Sequence, residues 1–283
     1  ERAHAIVREH AAPRITADLP PDLPHLFELL HAGSLVVDDI EDDAHTRRGE
    51  PAVHRVIGTA RAINAGTLLY FLPLWLCGEL GLEPAVALAI HRAFARQVLK
   101  CHHGQALDLA GTVTSLPQRD VGAIVEACSA LKTGALFELV ATVGALVAGA
   151  SPSVRTALAR FAREAGIALQ MLDDLTSVTR PARHAKGLED LRAARPTWVW
   201  AVLARTLDPR EYAALVTWLR RLAVAGEPSG LLAELAPLVA PAEALARARW
   251  RNAVSSLRTT LGPLSSIDGL VDELEALERD YGR

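Results

Sequence analysis

The chain has 283 residues, half of them hydrophobic and 5% aromatic, and its formal net charge at pH 7 is -3. This length allows one or two domains with a large core, and the abundance of Ala and Leu favours helix. Acidic and basic residues are interspersed, which gives no reason to expect a nucleic acid or an anionic membrane as partner.

The cysteines and the apolar runs exclude further classes. Cys77, Cys101 and Cys128 show no CxxC spacing, so we expect neither a disulfide framework nor a zinc site, and a cytoplasmic location fits best. The longest apolar run, 136–150, contains one acid and two glycines and is too short for a membrane span. Because the first residue is Glu1 rather than Met, we expect the natural start to lie upstream.

The first two predicted helices lie before residue 45. A helix over the first ten residues is followed by Pro13, Pro20 and Pro21, which predict a loop. Asp22 is suited to cap the next helix, which starts near Pro24.

This second helix ends in a dense acidic cluster. An apolar run that ends at Val37 leads into five acids within six positions. Asp38 and Asp42 are four residues apart, so their carboxylates share one helix face, with Asp39 beside them. Like charges so close repel one another, and Mg2+ would resolve the conflict because it takes carboxylate oxygens, water and substrate phosphates as ligands.

Two arginines follow the acids. Arg47 and Arg48 are suited to bidentate contact with phosphate oxygens. Acids for a metal ion and arginines for phosphate together predict a diphosphate site. The alternative is a solvated acidic loop without function, which is the usual meaning of a charge run. The apolar run before the acids and their helical spacing argue against it.

The remaining chain predicts further helices separated by proline and glycine, with no strand alternation of any length and no repeat at a fixed period. Predicted helices cover 60–80 (kinked or ended by Pro73), 83 to about 109, 117 to 131 or further, 154–178, a stretch to 191 after Pro181, and two or three more after Pro196, with breaks at Pro209, 226–230, Pro237, Pro241 and Gly262. No composition shift marks a boundary, so we predict one all-α domain over residues 1–283.

A second acidic pair lies in the long helix over 154–178. Gln170 and Asp174 share a face at i, i+4, and Asp173 lies next to them. Two acidic groups on two inward-facing helices could hold metal ions on one diphosphate and stabilise it as a leaving group. Gln105 and Asp108 are one turn apart and could line the same cavity.

Cations accompany this second pair. Lys132 and Thr133 lie in an otherwise apolar helix, where a buried lysine must reach water or meet an anion. Lys186, Asp190 and Arg195 add charge after the acidic helix. Each residue alone has an ordinary structural explanation, and only their joint occurrence favours a site. Trp198 and Trp200 are predicted to be core residues.

These residues, in this order, resemble the trans-isoprenyl diphosphate synthases, most closely the eukaryotic-type geranylgeranyl diphosphate synthases. The resemblance covers roughly residues 28–197. The residues that carry it are Asp38, Asp39, Asp42, Arg47, Arg48, Gly49, Gly104, Gln105, Asp108, Lys132, Thr133, Gln170, Asp173, Asp174 and Lys186.

The resemblance implies an all-α bundle around a deep central cavity, usually dimeric, that uses Mg2+ to draw the diphosphate from an allylic substrate. The double bond of isopentenyl diphosphate then attacks the allylic cation, and the diphosphate is the expected base. The implied metal ligands are Asp38, Asp39, Asp42, Asp108, Asp173 and Asp174. The implied substrate-binding residues are His31 and Arg48 for the acceptor, and Arg47, Gln105, Lys132, Thr133, Gln170, Lys186 and Arg195 for the allylic diphosphate.

The sequence departs from the family pattern at four places. The Gly-Gly-Lys-x-x-Arg motif of the acceptor site is not present, although the spacing to His31 allows Arg2 to be its last arginine. Leu169 replaces the usual aromatic before the glutamine, Ser177 replaces the third acid of the second motif, and Arg195 replaces a lysine.

The residues one turn before the first acids line the tail pocket in this family. Here they are Gly33 and Ser34, which are too small to close it, so we expect a product of about C20 or longer. Tyr70, Phe71 or Trp75 could still cap the pocket.

Two other functions remain open. A class I terpene synthase would ionise a prenyl diphosphate with the same acids and need no acceptor. The missing acceptor motif favours this, whereas His31, Arg48 and the few aromatics argue against it. A non-catalytic subunit of a synthase is the second alternative, although such a subunit would have no need for Asp38, Asp39 and Asp42.

Overall fold

The computed structural model describes residues 1–11, 18–225 and 229–281, and these residues form fourteen α-helices and one small hairpin. The helices are α1 (Arg2–Ala11), α2 (Leu23–Glu41), α3 (Val53–Ile57), α4 (Thr59–Glu79), α5 (Pro84–Leu109), α6 (Gln118–Ser129), α7 (Ala135–Val147), α8 (Pro152–Thr179), α9 (His184–Arg192), α10 (Trp198–Thr206), α11 (Pro209–Ala225), α12 (Ser229–Val239), α13 (Glu243–Leu261) and α14 (Ser265–Tyr281). The prediction of an all-α fold is confirmed.

Two strands of two residues each interrupt the helices. Strand β1 (Thr46–Arg47) pairs antiparallel with β2 (Glu50–Pro51). The sequence analysis found no strand signal here, because two residues are too few to show an alternating pattern.

The helix ends that the sequence predicts agree with the structure at some positions and differ at others. Ser151 caps α8 through a bond from the Val154 N–H to its hydroxyl (3.4 Å), whereas Asp22 makes no side-chain cap bond at α2. Pro73 and Pro237 lie inside α4 and α12, so the prediction of a break at Pro237 is wrong. The predicted loop proline Pro13 and the first part of the break at 226–230 lie outside the described residues.

Contacts divide the chain into two compact units. The first unit contains residues 1, 3–95 and 143–150, and the second contains residue 2, residues 96–142 and the described part of 151–283. The single-domain assignment therefore stays a prediction.

In the first unit, α2 packs closely against α4. The buried positions Leu23, Leu26, Leu30 and Gly33 recur at helical spacing and form one face of α2. A Cβ built at Gly33 would lie 2.8 Å from the Gly66 carbonyl oxygen on α4, so only glycine permits this close approach.

In the second unit, α8 is the central helix. Fifteen of its residues are buried, and α6, α9, α10, α12, α13 and α14 all contact it. The core of the second unit includes Trp200, whose ring packs edge to face against Tyr212 with ring centroids 6.1 Å apart. Trp198 and Trp200 are buried, as predicted.

A π-helical turn over Ala130–Gly134 joins α6 to α7 and carries Lys132 and Thr133. The stretch Gln118–Val147 that contains it is the one described helix long and apolar enough to cross a membrane by length and composition, and half of its most apolar window is buried within the protein. Core helices commonly pass the same test, so this stretch is weak support for a span.

Candidate active site

The first acidic group consists of Asp38, Asp39 and Asp42 at the end of α2. Asp38 and Asp39 lie in the last turn of the helix, and Asp42 is its C-cap, with its N–H bonded to the Asp38 carbonyl oxygen (2.9 Å). The predicted spacing of one turn between Asp38 and Asp42 is therefore confirmed. The end of a helix already carries partial negative charge, so acids at this position need a cation nearby.

Arg47 supplies that cation in the structure. Its Nε donates to Asp39 Oδ1 (2.9 Å), its Nη2 contacts the same oxygen, and Nη2 lies 3.5 Å from Asp38 Oδ2. Asp39 is only 2% exposed, whereas the Arg47 side chain is 39% exposed, so this charge-assisted pair is buried on its carboxylate side only.

The hairpin brings Arg47 back to the acids. Arg48 (φ +54°) and Gly49 (φ +86°) turn the chain between β1 and β2. On the far side, the Arg55 guanidinium on α3 donates to the Asp43 carboxylate (2.5 Å) and to the Asp43 carbonyl oxygen (3.0 Å). Arg55 therefore fastens the loop that follows the acids.

The two predicted acceptor residues lie at the same end of the first unit. His31 on α2 and Arg48 in the hairpin turn both keep exposed side chains. Loss of water around the ring lowers the pKa of His31; Arg48 and Arg47 lower it further, while Glu28 acts in the opposite sense. The influence of Arg48 and Arg47 on His31 shows that these side chains share one electrostatic environment.

Gly33 has a packing role that the sequence analysis did not anticipate. Its missing Cβ faces Gly66 and Leu69 of α4 at 2.8 Å, so its small size is required by the helix crossing. Ser34 is half-buried and donates to the His31 carbonyl oxygen (2.7 Å). Phe71 and Trp75 have exposed side chains on α4. That Gly33 and Ser34 also line a tail pocket stays a prediction.

The second acidic group consists of Asp173 and Asp174 on α8. Asp173 is ion-paired with two cations, Arg183 through one carboxylate oxygen and Lys186 through the other. The Arg183 Nη1 also donates to the Thr176 hydroxyl (2.9 Å).

Asp174 is fully engaged by the fold. Its Oδ1 accepts from the Gln170 amide (2.8 Å), and its Oδ2 accepts from the backbone N–H of Trp198 (2.9 Å). Burial raises the pKa of Asp174 to about 7; the nearby Asp190 raises it too, while the two hydrogen bonds oppose the rise. Burial also raises the pKa of Asp190, against the opposing influence of Lys186 and Arg195.

The π-helical turn carries the other predicted contacts. Lys132 Nζ is 2.8 Å from Asp108 Oδ2, and the Thr133 hydroxyl donates to Gln170 Oε1 (2.7 Å). A Cβ at Gly104 would lie 2.8 Å from the Leu131 Cβ and 2.9 Å from the Lys132 Cγ, so Gly104 makes room for this turn.

Within the second unit, the structure joins five of the predicted residues into one network: Thr133, Gln170, Asp173, Asp174 and Lys186. Gln170 links Thr133 to Asp174, and Lys186 reaches both acids, 4.0 Å from Asp174 Oδ1. Arg195 lies 3.7 Å from Asp190. Gln105 is half-buried on α5, one turn before Asp108.

Sequence reasoning missed Arg183 and Arg55. Both are single arginines in charged stretches, where an isolated basic residue is usually solvated. The one available signal for Arg183 was its position in the short helical turn Pro181–Arg183, between Asp173 and Lys186 in the chain.

The two acidic groups differ in their suitability for a metal ion. Among residues 1–11, 18–225 and 229–281, no three or more His, Cys, Asp or Glu side chains cluster closely enough to hold a metal. The first group has hard oxygen donors on one helix end, and Arg47 occupies the place of positive charge between two of them, so the donor set fits Mg2+. In the second group, protein donors bond to both oxygens of Asp173 and of Asp174, and Lys132 bonds to one oxygen of Asp108. That these three acids are metal ligands stays a prediction.

Comparisons with known proteins identify the family and the fold of the chain. The family model described as "Polyprenyl synthetase" matches residues 14–225, about three quarters of the chain. A geranylgeranyl diphosphate synthase of Methanosarcina mazei is 34% identical over 174 residues, which cover 60% of this chain and 52% of the relative. A geranylgeranyl pyrophosphate synthase of Eremothecium gossypii is 30% identical over 205 residues, covering 69% and 63%. The chain therefore spans about half to two thirds of the length of these curated relatives.

Solved structures show the same fold. The geranylgeranyl pyrophosphate synthetase of Pyrococcus horikoshii matches 99% of this chain and 85% of its own, with 26% identity and a TM-score of 0.73. A geranylgeranyl pyrophosphate synthase of Corynebacterium glutamicum, described as complexed with isoprenyl diphosphate and magnesium, matches 99% of this chain and 83% of its own, with 21% identity and a TM-score of 0.75.

Proposed function

The chain belongs to the polyprenyl synthetase family, and on that premise we propose that it is a Mg2+-dependent prenyltransferase. It condenses an allylic prenyl diphosphate with isopentenyl diphosphate and forms a product of about C20 or longer, such as geranylgeranyl diphosphate. The observation that carries the proposal is the first acidic group at the end of α2. Its carboxylates pair with Arg47, whose guanidinium is suited to bind phosphate. The names of the curated relatives support the same product class.

Asp38, Asp39 and Asp42 would hold the magnesium. Bound there, Mg2+ would act as a Lewis acid on the leaving diphosphate. Arg47 neutralises the same carboxylates in the substrate-free chain, so it is placed to turn to phosphate oxygens once a divalent cation takes over that charge.

The residues around the π-helical turn would bind the leaving diphosphate. Lys132 and Lys186 supply positive charge, and each is already held by a carboxylate, which fixes its position before substrate arrives. Thr133 and Gln170 form one hydrogen-bonded pair that orients their polar groups. Their contribution is positional and electrostatic.

Isopentenyl diphosphate reacts after the diphosphate of the allylic substrate has left. The C1–O bond of the allylic substrate breaks, its C1 bonds to the terminal alkene carbon of isopentenyl diphosphate, and a proton passes from the acceptor to the released diphosphate. His31 and Arg48 would bind the acceptor diphosphate. The lowered pKa of His31 favours a neutral ring that donates a hydrogen bond, and the permanent charge comes from Arg48.

Product analysis tests this function. Purified protein is incubated with Mg2+ and farnesyl diphosphate, with and without isopentenyl diphosphate, and both diphosphate and hydrocarbon products are analysed. We expect a prenyl diphosphate of about C20 or longer that forms only when the acceptor is present. A product that stops cleanly at C15 after supply of dimethylallyl diphosphate contradicts the chain length, and a hydrocarbon formed without acceptor indicates a terpene synthase.

We also propose that two copies of the chain form a homodimer through the outer face of α4. Leu68 (57% exposed), Phe71 (67%) and Trp75 (62%) recur at helical spacing on that face. Large exposed apolar side chains in a row are typical of an interface. Light scattering on the wild type and on Leu68→Lys tests this: we expect a dimer that the substitution dissociates, and a monomeric wild type contradicts it.

A further inference from the structure

We propose that the second acidic group of this chain binds no metal ion of its own, and that Arg183, together with Lys186, supplies positive charge directly to the leaving diphosphate there. The inference rests on the proposed prenyl transfer. It assigns Arg183 a substrate-binding role and departs from the ligand set that the sequence analysis expected on α8.

The charge around Asp173 is less favourable for a divalent cation than the charge of the first group. Asp173 is paired with a guanidinium and an ammonium group, and with Asp174, 4.0 Å from that ammonium group, the four side chains are neutral, whereas the three acids of the first group face only Arg47 and carry a net charge of -2. A divalent cation would have to displace both cations and meet their repulsion. A diphosphate oxygen, in contrast, meets two positive groups that the carboxylate holds side by side.

The neighbouring carboxylate offers no better ligand. Both oxygens of Asp174 accept from protein donors, the Gln170 amide and the Trp198 backbone N–H. The Trp198 N–H belongs to the start of α10 and cannot turn away without moving that helix. A metal ion at Asp174 would therefore leave a buried donor without its partner, which is costly.

The third position of the motif is closed by packing. Ser177 is 2% exposed, and its hydroxyl donates to the Asp174 carbonyl oxygen (2.6 Å). Gly187 of α9 lies directly against the Ser177 carbonyl oxygen, with no room even for a Cβ at Gly187. Because Ser177 is buried and the backbone of α9 lies against it, a longer acidic side chain at this position would require its neighbours to move.

Arg183 is held in position for the role. Its side chain is 19% exposed, and its Nη1 donates to the Thr176 hydroxyl, which itself donates to the Leu172 carbonyl oxygen (2.6 Å). The guanidinium is therefore tied to α8 through Thr176 as well as Asp173. A side chain fixed in this way loses little further freedom when it binds a phosphate group.

Counting bound ions separates the two possibilities. Mn2+ replaces Mg2+, inorganic diphosphate replaces the leaving group, and electron paramagnetic resonance gives the number of Mn2+ ions bound per full-length chain. We expect Asp173→Asn to bind as many ions as the wild type and Asp38→Asn/Asp39→Asn to bind fewer. Loss of an ion in Asp173→Asn overturns the inference.

The role of Arg183 is tested by calorimetric titration of inorganic diphosphate at fixed Mn2+. Arg183→Gln should weaken diphosphate binding by about tenfold, the effect of one charge-assisted hydrogen bond, without a change in ion number. Arg192→Gln, an exposed arginine in the last turn of the following helix α9, is the matched control and should bind like the wild type. Unchanged affinity in Arg183→Gln overturns the assignment.

These results are distinguishable from failure of the proposed function. A protein that elongates prenyl diphosphates but loses an ion in Asp173→Asn keeps its function and contradicts only this inference. A wild type that binds neither Mn2+ nor diphosphate overturns both.

Discussion

The two acidic groups have similar sequences but different surroundings. Asp38, Asp39 and Asp42 end α2 and share the guanidinium of Arg47, which comes from a short hairpin. Asp173 and Asp174 lie inside α8, where two cations, an amide and a backbone N–H already bond to their oxygens. The same pair of residues can therefore be a ligand in one place and a structural connector in another.

What decides between the two is the supply of donors from the surrounding fold. A helix end offers carbonyl oxygens and negative partial charge, so acids there attract a cation from outside the helix. Around acids inside a packed helix, neighbouring segments supply hydrogen-bond donors. Each donor that bonds to a carboxylate oxygen leaves one oxygen fewer for a metal ion. An acidic motif consequently needs its neighbours before it can be assigned a role.

The largest expected effect tests the first group. Asp38→Ala/Asp39→Ala should lower the rate of isopentenyl diphosphate incorporation by about a thousandfold or more, because the leaving group loses its electrophilic support. Steady-state incorporation of labelled acceptor measures it, and Asp22→Ala at the other end of α2 is the control. Unchanged activity of an assembly of this chain with a separate synthase would favour a non-catalytic subunit.

The next effect separates catalytic from structural ion pairs in the second unit. Lys132–Asp108 (2.8 Å) and Lys100–Glu138 (3.1 Å) are similarly exposed pairs that each join α5 to the segment over 130–147. Lys132→Met and Lys100→Met should lose similar stability, about 1 kcal/mol. Only Lys132→Met should also lose about a hundredfold in rate. Equal rate losses in the two variants would remove Lys132 from the site.

Packing at the two groups can be compared through two glycines. Gly33→Ala and Gly104→Ala should each destabilise the protein by about 1 to 3 kcal/mol in denaturant unfolding. Gly33 should cost more, because its nearest neighbour is a backbone oxygen, whereas Gly104 meets side-chain atoms that can shift. Gly122→Ala, which meets nothing within 4 Å on α6, should stabilise by about 0.5 to 1 kcal/mol. A destabilised Gly122→Ala would show that helix propensity does not govern these sites.

The last prediction concerns the pH dependence of stability that Asp174 causes. Its pKa is about 7 in the folded chain and 3.8 in the unfolded one, so unfolding releases a proton between these values. This carboxyl therefore makes stability fall as pH rises from about 4 to about 7, with no further change above. Asp174→Asn lacks this contribution, and its stability relative to the wild type should rise across that range in thermal unfolding. A constant difference between the two proteins contradicts the prediction.

Local patterns made much of the site predictable. The acids of both groups, the two arginines and Lys132 stand out because charges at the end of apolar helical runs are unusual. In the structure, Thr133, Gln170 and Asp174 form one hydrogen-bonded chain, and Lys132 forms a separate pair with Asp108.

Features that depend on packing were not predictable. The reason for glycine at Gly33 is a contact with Gly66, more than thirty residues later in the chain, and no local pattern reports it. Arg183 gains its role from Thr176 and Asp173 on a neighbouring helix. Pro237 lies in the last turn of α12, where it removes the N–H that would bond to the Ala233 carbonyl oxygen, and the helix ends two residues later at Val239.

Trp198 connects the second acidic group to the core in two ways. Its backbone N–H donates to Asp174, and its indole N–H donates to Ser129 (2.8 Å) at the end of α6. Exchange of that single amide hydrogen with deuterium is therefore controlled by the carboxylate of a site residue. The protection factor of the Trp198 amide therefore depends on its hydrogen bond to Asp174, and it can be measured without a label or a substrate.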